Sequence, residues 1–432
     1  MPLFKIITLG CKVNQCESAY LYERLLRDGW HKAEKNGSAD LVIINTCIVT
    51  QKASHQSRQE IRRAIRENPG AKLVVTGCYA QVYPEELSKI EGIDIIAGNK
   101  AKEKIPELIK DLPLSSSRMV CVQRFHEKEP FDVLPASQFL GRSRAFLKIQ
   151  DGCESFCSYC IVPYARGSYR SMSIKDVLSS MEHLMNKGYR EVVLTGIHLG
   201  KYGIDIDTSL NALLKEIGKQ KYPVRIRISS IEPNEVSEEL LELIAQEDWI
   251  CKHLHIPLQS GDNRILRNMR RRYTREDFYK LIIDIYKRIP FIAIGTDVMV
   301  GFPGETLMAH NNTMSLIKGL PVSYLHVFPY SDRPKSAAFY FKGKIPPSAI
   351  KERAKEMREL GKTKRMEFLK RCKGKTFTAI VESKKEDGSF KGLTDNYIKI
   401  ISSCHKARKK EPIKIKIEGI KEDFALGSVV DA

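Results

Sequence analysis

The sequence predicts an α/β protein in three parts: an N-terminal, doubly wound-like parallel sheet over residues 1–110, a partial (β/α)6 barrel over 139–370, and a small all-β barrel over 371–432. Apolar β-branched runs separated by helix-length segments predict the first part. The same rhythm, restarting at Phe146 after a poorly patterned stretch, predicts the second. Short alternating strands after Lys373 predict the third.

In the first part the strands fall at Phe4–Leu9, Asp40–Asn45, Lys72–Thr76 and Ile93–Ala97. Residues 111–138, with Pro113, Ser115–Ser117 and Pro130, read as a linker. Barrel strands are expected at Phe146–Gln150, Glu191–Leu194, Val224–Ser229, His253–Leu258, Ile292–Val300 and Tyr324–Pro329. Helical patterns at Ile174–Lys187, Leu210–Gly218, Val236–Gln246 and Arg275–Lys287 fall between them. Pro346-Pro347 opens a long basic helix to about Lys370, and strands follow at Thr376–Glu382, Tyr397–Ile401 and Ile413–Ile417.

Composition narrows the function classes. No apolar run approaches the ~20 residues that span a bilayer, and the start at Leu3–Leu9 reads as a strand, without the pattern of a signal peptide. The expected location is cytoplasmic. Eleven cysteines without a signal peptide argue for thiolate ligands over a disulfide framework. A net charge of +19 points to a polyanionic partner, nucleic acid being the natural candidate, although a generally lysine-rich proteome gives the same excess.

Cys153, Cys157 and Cys160 form a C-x3-C-x2-C triplet at the end of the first barrel strand. Structural zinc is closed by four ligands and ordinary ferredoxin clusters by four cysteines, so a local trio suggests a 4Fe-4S cluster with one iron open to a small molecule. The alternatives are zinc completed by a distant ligand, or unrelated thiols. A second trio, Cys11, Cys47 and Cys78, is scattered in sequence, yet each member follows a strand. In an open parallel sheet the carboxyl ends of strands face one crevice, so these thiols converge, with Gly10 and Gly77 permitting close backbone approach. Read singly, they are ordinary buried cysteines. Cys16 reads as a helix-face hydrophobe in preference to a fourth ligand, and Cys121, Cys251, Cys372 and Cys404 as buried bystanders.

Thr8–Gln15, Asn45–Cys47, Thr76–Gln81 and Lys148–Gly167 together resemble the motifs of the radical S-adenosylmethionine (SAM) methylthiotransferase family across essentially the whole chain. The resemblance implies a methylthiotransferase N-terminal domain, a radical SAM core and a C-terminal TRAM domain. It implies an auxiliary 4Fe-4S cluster on Cys11, Cys47 and Cys78, and the SAM cluster on Cys153, Cys157 and Cys160. It further implies that one SAM is cleaved to a 5′-deoxyadenosyl radical and a second supplies methyl, while the auxiliary cluster delivers sulfur to carbon 2 of an adenine. An electron donor such as a flavodoxin or ferredoxin is the implied redox partner. Lys12 and Val13 resemble the subgroup acting on threonylcarbamoyl-adenosine beside the tRNA anticodon. Cys16 departs from the family, where an aromatic is commoner.

For SAM contacts, Thr195 and Gly196 end the second barrel strand, Ser229, Ser230 and Glu232 follow the third, Gln259 the fourth, and Asp297 lies in the fifth. His198, His253, His255 and His326 read as neutral core or supporting histidines and not as ligands. Gly301–Glu305 reads as a strand-to-helix turn. Arg267, Arg270, Arg271, Arg272 and Arg275 suit either tRNA phosphates or a solvated helix face. The C-terminal barrel carries 14 Lys and Arg against 9 Asp and Glu, with a cluster at Lys406, Arg408, Lys409 and Lys410, as an RNA-binding module would. Two rival functions remain: the same chemistry on isopentenyl-adenosine or a ribosomal protein, and a non-catalytic zinc and RNA-binding protein.

Overall fold

Six parallel strands build the N-terminal sheet: β1 (Leu3–Thr8), β2 (His31–Lys32), β3 (Leu41–Thr46), β4 (Lys72–Gly77), β5 (Ile95–Ala97) and β6 (Met119–Cys121), in the order β2-β1-β3-β4-β5-β6. The protein is represented by a computed structural model that describes residues 1–34, 37–110, 118–126, 129–135, 139 and 141–430. β3 is buried along its whole length, as its unbroken apolar run requires between two helical layers. The edge strand β6 lies within the stretch read as linker, where three residues are too few to show a periodicity. Pro113 and Ser115–Ser117 of that stretch lie outside the described residues.

The central barrel is built from β7 (Ala145–Lys148), β10 (Glu191–Thr195), β11 (Arg225–Ile228), β12 (His253–His255), β13 (Ala293–Val300) and β14 (Tyr324–Pro329); between β7 and β10, β8 (Gln150–Asp151) and β9 (Arg170–Ser171) form a small antiparallel ladder. The sheets β11-β10-β7 and β12-β13-β14 are parallel throughout, and parallel bridges Ile226–Ile250 and Ser230–His255 join them into one curved wall. All six strands expected of the barrel are present. Side chains alternate along each strand. Val192, Leu194, Ile226, Ile228, Leu254, Ile294 and Val298 form a buried core with the surrounding helices, each contributing about 1.5–3 kcal/mol by leaving water. The opposite register holds Glu191, Arg225, Arg227, His253, His255, Asp297, Tyr324 and His326, so a charged and aromatic face lines the lumen.

The long helix Pro347–Cys372 leads to a closed barrel of β15 (Thr376–Lys384), β16 (Ser389–Thr394), β17 (Lys399–Ser403), β18 (Pro412–Lys421) and β19 (Phe424–Val429). This barrel caps the amino ends of the central strands. Arg225 donates to the Thr378 and Leu393 carbonyls at 2.6 and 2.8 Å, and Arg227 to those of Asp395 and Thr394 at 2.9 Å each. Both guanidiniums also bind the fully buried Glu191, at 2.6 and 2.7 Å.

Candidate active site: two thiol trios

Cys11 caps the first helix, α1 (Lys12–Arg27), Cys47 follows β3 directly, and Cys78 opens α3 (Cys78–Val82) straight after β4; α2 (Gln51–Glu67) covers the sheet between them. The strand ends thus bring the three scattered thiols together, close enough that Cys47 senses the charge of both Cys78 and Cys11. Glycine is required before two of them. Gly10 (φ +93°) would place a Cβ 2.8 Å from Cys47 Sγ, and Gly77 (φ +97°) one 2.4 Å from the Thr46 carbonyl oxygen. Burial pushes the Cys47 thiol up to about 11, and raises that of Cys11 against the opposing pull of Arg166. Thiols raised in this way stay protonated until a positive centre takes the proton's place, and Cys11, unlike Cys47 and Cys78, is exposed to receive one. Two guanidiniums face the trio. Arg166 lies in range of Cys11 and Cys78, and Arg333, whose Nε and Nη2 are buried without a partner, in range of Cys47.

Cys153, Cys157 and Cys160 occupy the loop after β8. Cys160 Sγ accepts from the Val162 amide at 3.4 Å, Cys157 Sγ from Arg271 Nη1 at 3.4 Å, and Cys153 Sγ lies 3.4 Å from His198 Nδ1. Burial raises the Cys160 thiol to about 12. For Cys153, desolvation works upward but the His198 hydrogen bond outweighs it, so its thiol is lowered. His198 is correspondingly held at about 9: burial acts downward, and Cys153 and Glu235 (2.8 Å) override it. This corrects the expectation of a neutral histidine here, while His253 is driven well below its ordinary value by burial and Arg227 and is neutral as expected.

Both trios fit a polynuclear cluster better than a single ion. A tetrahedral zinc with Zn–S near 2.3 Å holds its sulfurs about 3.8 Å apart. Among the described residues, the ligand atoms of His255, Asp297 and His326 are the one set of three found within 4.8 Å of one another, and neither thiol trio is drawn in so far. The Val162 amide at Cys160, the Arg271 guanidinium at Cys157 and the positive charge of Arg166 and Arg333 are surroundings that suit an anionic iron–sulfur cube.

A five-residue helix, Val162–Arg166, links the two sites: its first amide meets Cys160, and Arg166 at its end reaches toward Cys78. Five residues span about 7.5 Å. Arg166 is buried and bound to Asn14 Oδ1 (2.7 Å), to Glu17 and to Asp151 (3.3 Å). Glu17 also binds Lys102, with Lys148 Nζ at 3.9 Å. Desolvation would raise the Glu17 carboxyl, but Arg166, Lys102 and Lys148 outweigh it and hold it near 2. Beside this bridge opens a cavity of about 1130 Å³ lined by Gln81, Phe125, Cys153, Phe156, Tyr164 and Lys335. The exposed rings of Phe156 and Tyr164 meet edge to face at its rim, with centroids 6.3 Å apart.

Of the residues expected to contact SAM, Thr195 and Ser229 are buried at strand ends, and Gly196 backs onto Gln150, whose Oε1 lies 2.8 Å from where a Cβ would stand. Gln259 holds a left-handed backbone (φ +66°) beside β13. Ser230 is exposed, and Glu232 is bound by Arg271. Asp297 faces the lumen, where its Oδ1 accepts from His255 at 2.8 Å and His326 at 3.2 Å. Arg271 is therefore neither a phosphate contact nor a solvated residue: it is buried between Cys157, Glu232 and Tyr273. An arginine in a run of arginines gave no sign of this. Cys16 is buried with its thiol 3.4 Å from the Phe146 carbonyl and its pKa raised by burial, as a packing residue. Cys251 and Cys372 are likewise buried, whereas Cys121 and Cys404 are only half-buried.

A parallel partial barrel with a thiol trio on its first loop defines a radical SAM protein, and residues 147–317 match the Radical SAM superfamily, while residues 3–98 match Uncharacterized protein family UPF0004. A solved structure, the radical SAM methyltransferase TsrM from Kitasatospora setae, shares the fold at TM-score 0.58 and 17% identity, over 78% of this chain and 77% of its own. Threonylcarbamoyladenosine tRNA methylthiotransferase MtaB of Aquifex aeolicus is 41% identical over 394 residues, 91% of this chain and 95% of that protein. The Bacillus subtilis protein of the same name is 38% identical, covering 95% and 92%. The tRNA-2-methylthio-N(6)-dimethylallyladenosine synthase of Clostridium novyi is 33% identical, covering 90% and 88%. The chain belongs to the tRNA methylthiotransferase family of these relatives.

Proposed function

We propose that this chain converts threonylcarbamoyl-adenosine in tRNA to its 2-methylthio derivative, using two 4Fe-4S clusters and SAM. The observation that carries the reading is the pair of three-cysteine sites held one short helix apart, each offering three thiols where a closed cluster takes four. Cys11, Cys47 and Cys78 hold the auxiliary cluster, and Cys153, Cys157 and Cys160 the SAM cluster. When bound, these groups supply radical cleavage of SAM and a sulfur source, chemistry beyond any acid–base pair in the chain.

The protein's own residues position and shield. Arg271 donates to Cys157 sulfur and holds Glu232, and Thr195, Gly196, Ser229, Ser230 and Gln259 would bind SAM at the neighbouring strand ends. Arg166 places positive charge between the two sites. Phe156 and Tyr164 offer faces on which an unstacked base can rest beside the cavity. Exposed Lys406, Arg408 and Lys409 on the C-terminal barrel meet phosphates, with tRNA as the partner in the cytoplasm and a flavodoxin or ferredoxin as electron donor. Among the described residues no helix is long and apolar enough to cross a membrane.

The test is anaerobic reconstitution followed by mass spectrometry of tRNA nucleosides. About eight irons per chain and formation of the 2-methylthio nucleoside are expected. A colourless, zinc-loaded protein, or sulfur insertion into isopentenyl-adenosine alone, would defeat the reading.

A further inference from the structure

Lys12 is the first residue of α1, next to Cys11, and its ammonium lies within electrostatic range of Arg227 and His253 on the lumen face of the barrel. Its charged surroundings are unusual. The groups that act on it most strongly are the Arg144 and Arg227 guanidiniums and the thiols of Cys11 and Cys16. Among the described residues it has no hydrogen-bond or ion-pair partner, whereas the neighbouring guanidiniums are answered: Arg227 by Glu191, and Arg144 by Glu382 at 3.0 Å. Holding a half-buried ammonium beside like charges is unfavourable unless an anion arrives.

A second, independent observation points to the same place. His253, on β12, is 4% exposed and within electrostatic range of Lys12. Its Nε2 meets the Tyr324 hydroxyl at 2.9 Å, but its Nδ1 is buried without a partner. Tyr397, entering from the C-terminal barrel, stacks on the His253 ring at 4.3 Å and closes the floor below it. The lumen under Cys11 therefore ends in an unanswered ammonium, an orphaned imidazole nitrogen and an aromatic floor. That set of groups suits a small anion carrying a hydrogen-bonding tail.

Resting on the reading above, we infer that Lys12, with His253 and Arg227 behind it, is the specificity site for the carboxylate of the substrate's N6-threonylcarbamoyl group. The placement suits the chemistry. When carbon 2 of the adenine faces the thiols of Cys11, Cys47 and Cys78, the N6 substituent points away from them, and Lys12, next to Cys11, lies in range of the lumen-facing Arg227 and His253. A dimethylallyl tail has no charge to offer this pocket and would leave the ammonium unanswered, so the same residue attracts one substrate and rejects the other.

The experiment is equilibrium binding of the anaerobically reconstituted protein to two anticodon stem-loop RNAs, one bearing threonylcarbamoyl-adenosine and the other its threonyl methyl ester. Wild-type protein should bind the acid about tenfold or more tightly, the scale of a charge-assisted hydrogen bond of about 1.5–3 kcal/mol. Lys12→Gln should bind acid and ester alike, and Lys12→Arg should restore most of the preference. Equal binding of acid and ester by the wild type, which requires no variant to fold, overturns the assignment. So does full discrimination by Lys12→Gln. Wild-type turnover separates this inference from the parent reading: failure to methylthiolate the threonylcarbamoyl RNA sinks the function, whereas turnover with a charge-blind pocket sinks only the role of Lys12.

Discussion

Cys47 and Cys157 belong to trios with different work to do, so removing them should leave different residues of activity. Cys157→Ala takes a ligand from the loop that faces SAM, and is expected to abolish both 5′-deoxyadenosine release and methylthiolation. Cys47→Ala leaves that loop intact. It should still cleave SAM, lose methylthiolation, and hold roughly four irons per chain in place of eight. Iron analysis with chromatography of the SAM products checks both, and methylthiolated tRNA from Cys47→Ala would show that the sheet-end thiols are not needed for sulfur. Arg271 makes a third case. Arg271→Met deprives Cys157 of a donor and Glu232 of its ion pair, so the SAM cluster's reduction potential should shift downward, the direction that follows from losing a hydrogen bond to sulfur. Electrochemistry reads that directly.

Among the elements, α1 helps join the N-terminal sheet to the barrel, and it does so through a buried carboxylate. Glu17 sits below its unfolded value because Arg166, Lys102 and Lys148 surround it, so it adds stability that is full above about pH 4.5 and lost as pH falls toward about 2. Asp151, lowered by Arg166, Lys148 and Arg170 against its own desolvation, acts in the same direction. Urea midpoints should therefore fall between pH about 5 and about 3, and Glu17→Gln should be less stable at neutral pH with a flatter acid limb. A steep limb retained in Glu17→Gln would assign the acid sensitivity elsewhere. None of this was visible in the sequence, where one glutamate on an amphipathic helix reads as surface. What could be read was whatever periodicity and local spacing encode: every central barrel strand, the Cys153–Cys160 loop, and the strand-end positions of Cys11, Cys47 and Cys78. β6, β16 and β19 escaped because they are short or carry a glycine at Gly392 or Gly427. Arg166, Arg271, Arg333 and the reach of Lys12 depend on partners more than a hundred residues away or on the far side of a sheet, which no window of sequence contains.

For the whole molecule, the +19 charge predicts tRNA binding that weakens steeply with salt. Lys410 does not belong to the phosphate-facing set, since its ammonium lies over the Tyr189 ring and donates to the Lys187 carbonyl at 2.9 Å. The triple variant of Lys406, Arg408 and Lys409 to Gln should lower the slope of log K against log salt by about 2–3, the release expected from three lost phosphate contacts. An unchanged slope would move the RNA grip to another face. Glu191, meanwhile, holds Arg225 and Arg227, whose other hydrogen atoms grip the rim of the C-terminal barrel. Glu191→Gln should cost about 3–5 kcal/mol by leaving buried guanidiniums uncompensated, seen as a lower denaturation midpoint. Glu191 thus helps tie the barrel that carries the basic patch to the one that carries the SAM-cluster thiols, joined by Arg144–Glu382 and by Asn396 donating to the Phe291 carbonyl.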